Sequence, residues 1–166
     1  MKKKFRLAEQ HKAERLFRFL NYIIDFCAVM LLIYILLFLY VFLKYVLTDI
    51  PMEVTAYELE NVDPLLDRLG TALLYVLILF GMEKLTNGRS PGKLITGTVV
   101  VKTDGTALTT ADLLRRNFSR IVPFDGLSFL GTNGWHDSWS DTRVVKKKAY
   151  ENARNLENDI QTIGAK

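Results

Sequence analysis

Residues 18–44 read RFLNYIIDFCAVMLLIYILLFLYVFLK, and this stretch decides the fold. Between Arg18 and Lys44 lie 25 residues with one charge, Asp25, and residues 26–43 carry none. At about 1.5 Å of rise per residue, a helix of that length spans roughly 37 Å, enough for a bilayer core of about 30 Å. A cleaved signal peptide has a shorter apolar core and ends in an A-x-A-like site, which is missing here. The stretch therefore reads as a retained membrane-spanning helix over about residues 19–46. Tyr40, Phe42 and Tyr45 at its far end suit an interfacial aromatic belt.

The flanks orient it. Residues 1–18 carry seven Lys/Arg against two acids, residues 44–68 two against six, and residues 83–166 thirteen against nine. Basic flanks stay on the cytoplasmic side. The order basic, acidic, basic then places both termini inside and the loop at 47–62 outside, in a bacterial-type inner membrane. Because the basic runs bracket hydrophobic spans, they read as topology signals rather than as a nucleic-acid surface. The acidic loop, broken by Pro51, reads as solvated and non-helical.

An even number of crossings needs a second span. Asp63 fits an N-cap and Pro64 a first helical position, and Asn87-Gly88 closes the segment. Residues 64–86 are long enough to cross if Asp67 and Arg68 reach the outer headgroups and Glu83 and Lys84 sit at the inner boundary. At 166 residues the chain suits one domain, and its lone cysteine, Cys27, excludes a disulfide framework.

Beyond residue 87 the character changes. Gly88-Arg-Ser-Pro-Gly-Lys93 is a turn, and Asp104-Gly105 follows the β-branched run of residues 98–101 as a hairpin signal. Arg143-Val-Val-Lys146 is a second short β-like run, able to pair with residues 99–102. Thr110 reads as the N-cap of a basic amphipathic helix over about 111–122. That helix is expected in the inner interface, with Arg115, Arg116 and Arg120 toward anionic lipid headgroups. Residues 123–131 are apolar but broken by Pro and Gly, and read as an interfacial or re-entrant segment.

Several motifs invite chemistry and fall short of it. The Gly88 turn has three residues between its glycines, not the four of a phosphate loop, and Leu94 stands where that loop needs Ser or Thr. Ser90-Pro-Gly-Lys93 matches S-x-x-K but lacks the companion motifs of that enzyme class. Two histidines and one cysteine do not make a zinc hydrolase. No cofactor is expected, and no enzyme.

Charge at membrane depth is the stronger signal. Arg18 and Asp25 lie seven residues apart, on one helix face and roughly 10 Å apart along the axis. Glu83 reaches the same depth on the antiparallel span. Intramembrane carboxylates are functional candidates by default, for a charge removed from water costs several kcal/mol (about 3, order of magnitude) unless it is paired. The structural alternative is an ion pair to Arg116 or Arg120.

Together these residues resemble the RDD family of small membrane proteins, named for one Arg and two Asp. The family's Arg with Asp seven residues on corresponds to Arg18 and Asp25. Its Glu closing the second apolar span corresponds to Glu83. The turn and extended segment match Gly88-Arg-Ser-Pro-Gly-Lys93 and Gly97-Thr-Val-Val100. Arg116-Asn-Phe-Ser-Arg120 and His136-Asp137-Ser-Trp-Ser-Asp-Thr142-Arg-Val144 match the remaining motifs. The resemblance covers about residues 15–146. A third span, often described for the family, is poorly hydrophobic here.

The resemblance implies an integral membrane protein, and some members look like cation/proton antiporters. The expected architecture is an α-helical membrane protein with two transmembrane helices, an interfacial amphipathic helix with a re-entrant segment, and a small cytoplasmic β-hairpin element. Residues 1–146 form the membrane domain and residues 147–166 a polar cytoplasmic tail. Two spans enclose no pathway easily, so transport of cations or protons implies a homo-oligomer. Asp25 and Glu83 would then be the carrier carboxylates, Arg18 would tune Asp25, and Asp137 would anchor the lobe against an Arg of the 111–122 helix. The rival is a membrane scaffold or accessory protein whose charges are structural ion pairs.

The charge blocks generate a topology test. In a Cys27→Ser background, a cysteine within residues 151–166 should react only from the cytoplasmic side, and one within 47–62 only from outside. Tail labelling from outside alone would overturn the two-span reading.

Overall fold

The computed structural model describes residues 7–122 and 134–163. The segment at 123–131, expected to be re-entrant, lies outside the described residues. The architecture is two long helices joined at one end to a small lobe. Helix α1 is Arg15–Thr48 and helix α3 is Pro64–Leu85, and both are long and apolar enough to cross a membrane. Between them Met52–Glu60 forms helix α2. This corrects the expectation of a non-helical loop: Pro51 is the N-cap of α2 and starts the helix it was expected to break. A proline at the start of a helix gives up an amide that has no intrahelical partner anyway. Lys44 at the end of α1 donates to Glu58 of α2 at 2.6 Å. Asp63 caps α3 and accepts from the Leu65 and Leu66 amides, with Pro64 as the first helical residue.

The spans meet along one stripe. The buried residues of α1 are Arg18, Asn21, Asp25, Val29 and Ile33, spaced three or four apart. Those of α3 are Val76, Leu79 and Glu83. Val29, Ile33 and Leu79 make the apolar part of the contact, with Met30, Tyr75, Ile78 and Met82 packed around them. Beyond Ile33, α1 contributes no buried residue among those described, and Phe38 and Leu47 stand fully outward.

The lobe is assembled at the Arg15 end of α1. Pro91–Thr96 is helix α4, Thr98–Lys102 strand β1, Thr110–Phe118 helix α5 (continued as a 3-10 turn over Ser119–Ile121), Trp135–Trp139 helix α6, Thr142–Lys146 strand β2 and Lys147–Ile163 helix α7. β1 and β2 pair antiparallel, with Val100 opposite Val144 and Lys102 opposite Thr142. The Asp104-Gly105 turn does not fold β1 into a local hairpin. It closes on itself through the Gly105 amide to Lys102 O and sends the chain into α5. The partner strand comes from 40 residues later because α6 must first reach the site under α5.

The N-terminal segment extends the sheet. Lys12 bridges Val145, the Ala13 amide donates to Val144 O at 2.9 Å, and Arg143 donates to Glu9 at 2.5 Å. Residues 9–13 and strand β2 therefore sit together at the Arg15 end of the two-helix stem. Helix α7 orders most of the segment expected as a polar tail and packs Tyr150 against Ala8 and Val145.

One glycine sets how close the lobe comes to the stem. A Cβ on Gly92 would lie 2.6 Å from Asn21 O and 2.8 Å from Asn21 Cα, both backbone atoms of α1. A backbone cannot yield as a flexible side chain can. Gly92→Ala should therefore cost at least about 1–3 kcal/mol by overpacking. Gly81→Ala, where a Cβ meets nothing within 4 Å, should be tolerated. Thermal unfolding of the detergent-solubilised variants would check this; equal melting of the two would show that α4 does not rest on α1 as described.

Candidate functional site

The site lies where α1, α3, α4, α5 and α6 converge, and it is built from charges. Asp25, Glu83, Lys93, Arg116 and Asp137 each expose 1% or less of their surface. The Arg120 side chain is nearly as deep, at 4%.

Asp25 holds α4. Its Oδ1 accepts from the Gly92 amide at 2.8 Å and its Oδ2 from Ser90 Oγ at 2.6 Å. Ser90 is the N-cap of α4 but makes no cap bond with its own side chain. Asp25 supplies the cap instead, from another helix, and its negative charge faces the positive end of the α4 peptide dipoles. Asn21, one turn earlier, completes the seat. With its amide oriented to satisfy its neighbours, it donates to Gly92 O at 3.0 Å and accepts from Thr98 Oγ1 at 2.9 Å.

Lys93 is the cation between the spans. Its Nζ donates to Glu83 Oε1 at 2.6 Å and to Ser90 Oγ at 2.8 Å, and lies 3.8 Å from Asp25 Oδ2. Burial lowers its pKa from the ordinary lysine value, with Glu83 and Asp25 working in the opposite direction.

Glu83 is the hub. Beside Lys93, its Oε2 accepts from Asn117 Nδ2 at 2.8 Å. Arg116 Nε and an Arg120 terminal nitrogen stand 3.8 and 3.9 Å from its Oε1. These groups reach it because of how α5 begins. Thr109 caps α5, its Oγ1 accepting from the Asp112 amide while the Asp112 carboxylate accepts from the Thr109 amide at 3.0 Å. This reciprocal cap fixes the rotation of the helix, one residue earlier than the Thr110 cap expected from sequence. Burial alone would raise the Asp112 pKa, but the Thr109 bonds hold it below the usual carboxylate value.

Arg116 carries the network into the lobe. Its NH1 donates to Asp137 Oδ1 and, at 2.8 Å, to Thr142 Oγ1 at the start of β2. Burial pushes the Asp137 pKa up. Arg116 foremost, then His136 and Arg18, outweigh it and hold Asp137 at about 2.

The structure thus brings together Asp25, Glu83, Arg116, Arg120 and Asp137, with Arg18 buried on the same stripe of α1. It changes two pairings. Asp25 is not held by Arg18: its oxygens are taken by Ser90 and Gly92, with Lys93 as the near cation. Of the three arginines on the basic face of the 111–122 helix, Arg115 is exposed and the other two are not. Arg116 and Arg120 turn inward onto Glu83, while Phe118 and Ile121 are exposed. The buried carboxylates set this rotation, since an unpaired one would cost more than turning an apolar face outward.

The residues that sequence reasoning passed over are Ser90, Gly92 and Lys93. Their sequence fits neither a phosphate loop nor the full S-x-x-K enzyme pattern. Their signal was a lysine and a small-residue turn placed directly after an apolar span ending in Glu. Ser90 and Lys93 do form a close pair, but both are buried and both are already committed to carboxylates. Among the described residues no group of three or more His, Cys, Asp or Glu could hold a metal ion.

This combination is that of a small, mostly helical protein with two apolar helices sealed at one end by buried ion pairs. A family model described as the RDD family matches residues 13–146, and the chain belongs to that family, a family of membrane proteins. No curated protein and no solved structure matches the chain.

The ion-pair geometry generates a double-mutant test. Lys93→Met leaves Glu83 and Asp25 without their ammonium group and should cost on the order of 3–5 kcal/mol. Adding Glu83→Gln removes the stranded charge and should recover part of that loss. Unfolding in mixed micelles measures both; a Lys93→Met protein as stable as wild type would remove Lys93 from the structural role.

Proposed function

We propose that this protein is an integral inner-membrane protein with two spans and both termini cytoplasmic, acting as a membrane-anchored scaffold or accessory module. Its buried charges are a latch that joins the spans to the lobe. The observation that carries this reading is the saturation of the two carboxylates on the long helices, Asp25 and Glu83. Both oxygens of Asp25 and both of Glu83 accept a hydrogen bond from a protein donor. A carboxylate that carries ions needs a face open to a path, and Asp25 and Glu83 expose none of their surface. The same donors also explain why Asp25 and Glu83 stand at membrane depth: they neutralise Lys93 and Arg116, and so fasten α4 and α5 to the stem.

Transport of cations or protons through a homo-oligomer is the second reading. It is favoured by one observation, a fully buried lysine between two carboxylates of different helices. Under that reading the lysine would have to release one carboxylate for the path to open.

Proteoliposomes separate the two. The latch reading predicts that wild-type protein gives no pH-gradient-driven cation flux above empty vesicles. It also predicts that Asp25→Asn lowers abundance and melting temperature, because Asn keeps the acceptor for the Gly92 amide but removes charge beside Lys93. Flux in wild type that Asp25→Asn abolishes without loss of abundance would establish the carrier reading instead.

A further inference from the structure

The lobe is built inside out. On α4, Lys93 is buried while Leu94 and Ile95 face outward, Ile95 at 73% exposure. On α5 and its 3-10 turn, Arg116 and Asn117 are buried while Phe118 and Ile121 are exposed. On α6, His136 and Asp137 are buried while Trp135 and Trp139 are exposed, their rings stacked at 6.1 Å. Each of these three short helices buries charged or polar side chains and exposes large apolar ones, although Leu113 is buried and Arg115 and Ser138 are exposed. A lobe bathed in water places them the other way round, and large contiguous apolar patches on such a surface mark a contact with something apolar.

The position of these helices says what that something is. The backbone of α4 at Gly92 lies against Asn21 and Asp25, so α4 sits at the level of residues 21–25 of α1. The outward apolar surface of α1 begins nearer the helix start than that, at Leu16, Phe19 and Leu20. The exposed face of α4 is therefore continuous with the lipid-facing surface of the stem. Asp137 ties α6 to Arg116, which stands beside Glu83 at the inner end of α3. The length of α1 agrees. Its 34 residues span about 51 Å, roughly 20 Å more than a hydrocarbon core. That surplus is the part the lobe surrounds.

We infer that α4, α5 and α6 form a foot seated in the cytoplasmic-leaflet interface, with Ile95, Phe118, Ile121, Trp135 and Trp139 inserted among the lipid chains and the ion-pair cluster shielded above them from bulk water. This inference rests on the two-span membrane reading and adds a lipid-binding face to it. The face is apolar and takes acyl chain and glycerol backbone, with the tryptophans at the headgroup level they favour. It departs from the usual amphipathic arrangement, in which a helix offers several cations to anionic headgroups; here Arg116 and Arg120 are spent on Glu83 and Arg115 alone of the three is exposed, so seating depends little on anionic lipid. The opposite side of the lobe, with Lys102, Asp104, Glu151 and Arg154, faces water.

The chain's two tryptophans, Trp135 and Trp139, are native probes on α6. The full chain in liposomes should show blue-shifted emission, strong quenching by lipids brominated near the glycerol end of the chain, and weak quenching by aqueous iodide. Ile95 probes α4 independently. A nitroxide on Ile95→Cys, in the Cys27→Ser background, should collide more with oxygen than with a water-soluble nickel chelate, and one on Thr106→Cys should do the reverse. The seating should be equal in neutral and anionic vesicles. Iodide-quenched, lipid-inert tryptophans in protein that resists a carbonate wash would overturn the foot while leaving the spans in place. Tryptophans shielded from both quenchers would overturn it in favour of a second copy covering the face. Protein stripped by carbonate would overturn the membrane reading itself.

Discussion

A charge taken out of water must meet its opposite, and the Lys93 ammonium between Glu83 and Asp25 is where this chain obeys that rule most tightly. The neighbouring features follow from it. Lys93 reaches both carboxylates only if α4 lies against α1, which requires a glycine at position 92. α4 can begin there because Asp25 caps it. Glu83, held by Lys93, then fixes the rotation of α5 through Asn117 and Arg116, and Arg116 in turn receives Asp137 and the first residue of β2. The network runs from one span to the other and on into the sheet without a residue that only fills space.

Such a network specifies an arrangement more than it stabilises one. A buried pair returns little beyond what its desolvation costs, but a stranded partner is expensive, so each ion selects against every packing that leaves it alone. Apolar packing between the spans is confined to a short segment around Val29, Ile33 and Leu79. In lipid, apolar surface gains little from meeting apolar surface of its own kind, and polar contacts become the means of association between helices. Beyond Ile33, α1 accordingly contributes no buried residue among those described.

The lobe extends the same logic. Because α4, α5 and α6 turn Lys93, Arg116, Asn117, His136 and Asp137 inward, their large exposed residues are mostly apolar. The exposed apolar residues of these helices are then a consequence of the ion pairs rather than a separate feature. Lys12 and Ala13, pairing with β2, close this unit.

The two apolar helices, their lengths, the Asp63-Pro64 start of α3 and the pairing of residues 98–102 with 142–146 were legible in the sequence, for these depend on composition, caps and local period. The stripe carrying Arg18 and Asp25 was legible too, since seven residues make two turns. Partner choice was not. Arg18 and Asp25 share a face, yet residues on one rigid helix two turns apart stay roughly 10 Å apart, and Asp25 is satisfied by a turn 65 residues away. The amphipathic pattern of α5 was visible, but not which side lay inward, because a helical period is the same whether its polar face meets water or buried carboxylates. That choice belongs to the tertiary structure: only when Glu83, Lys93 and Arg116 are brought together does burying the cations cost less than exposing them.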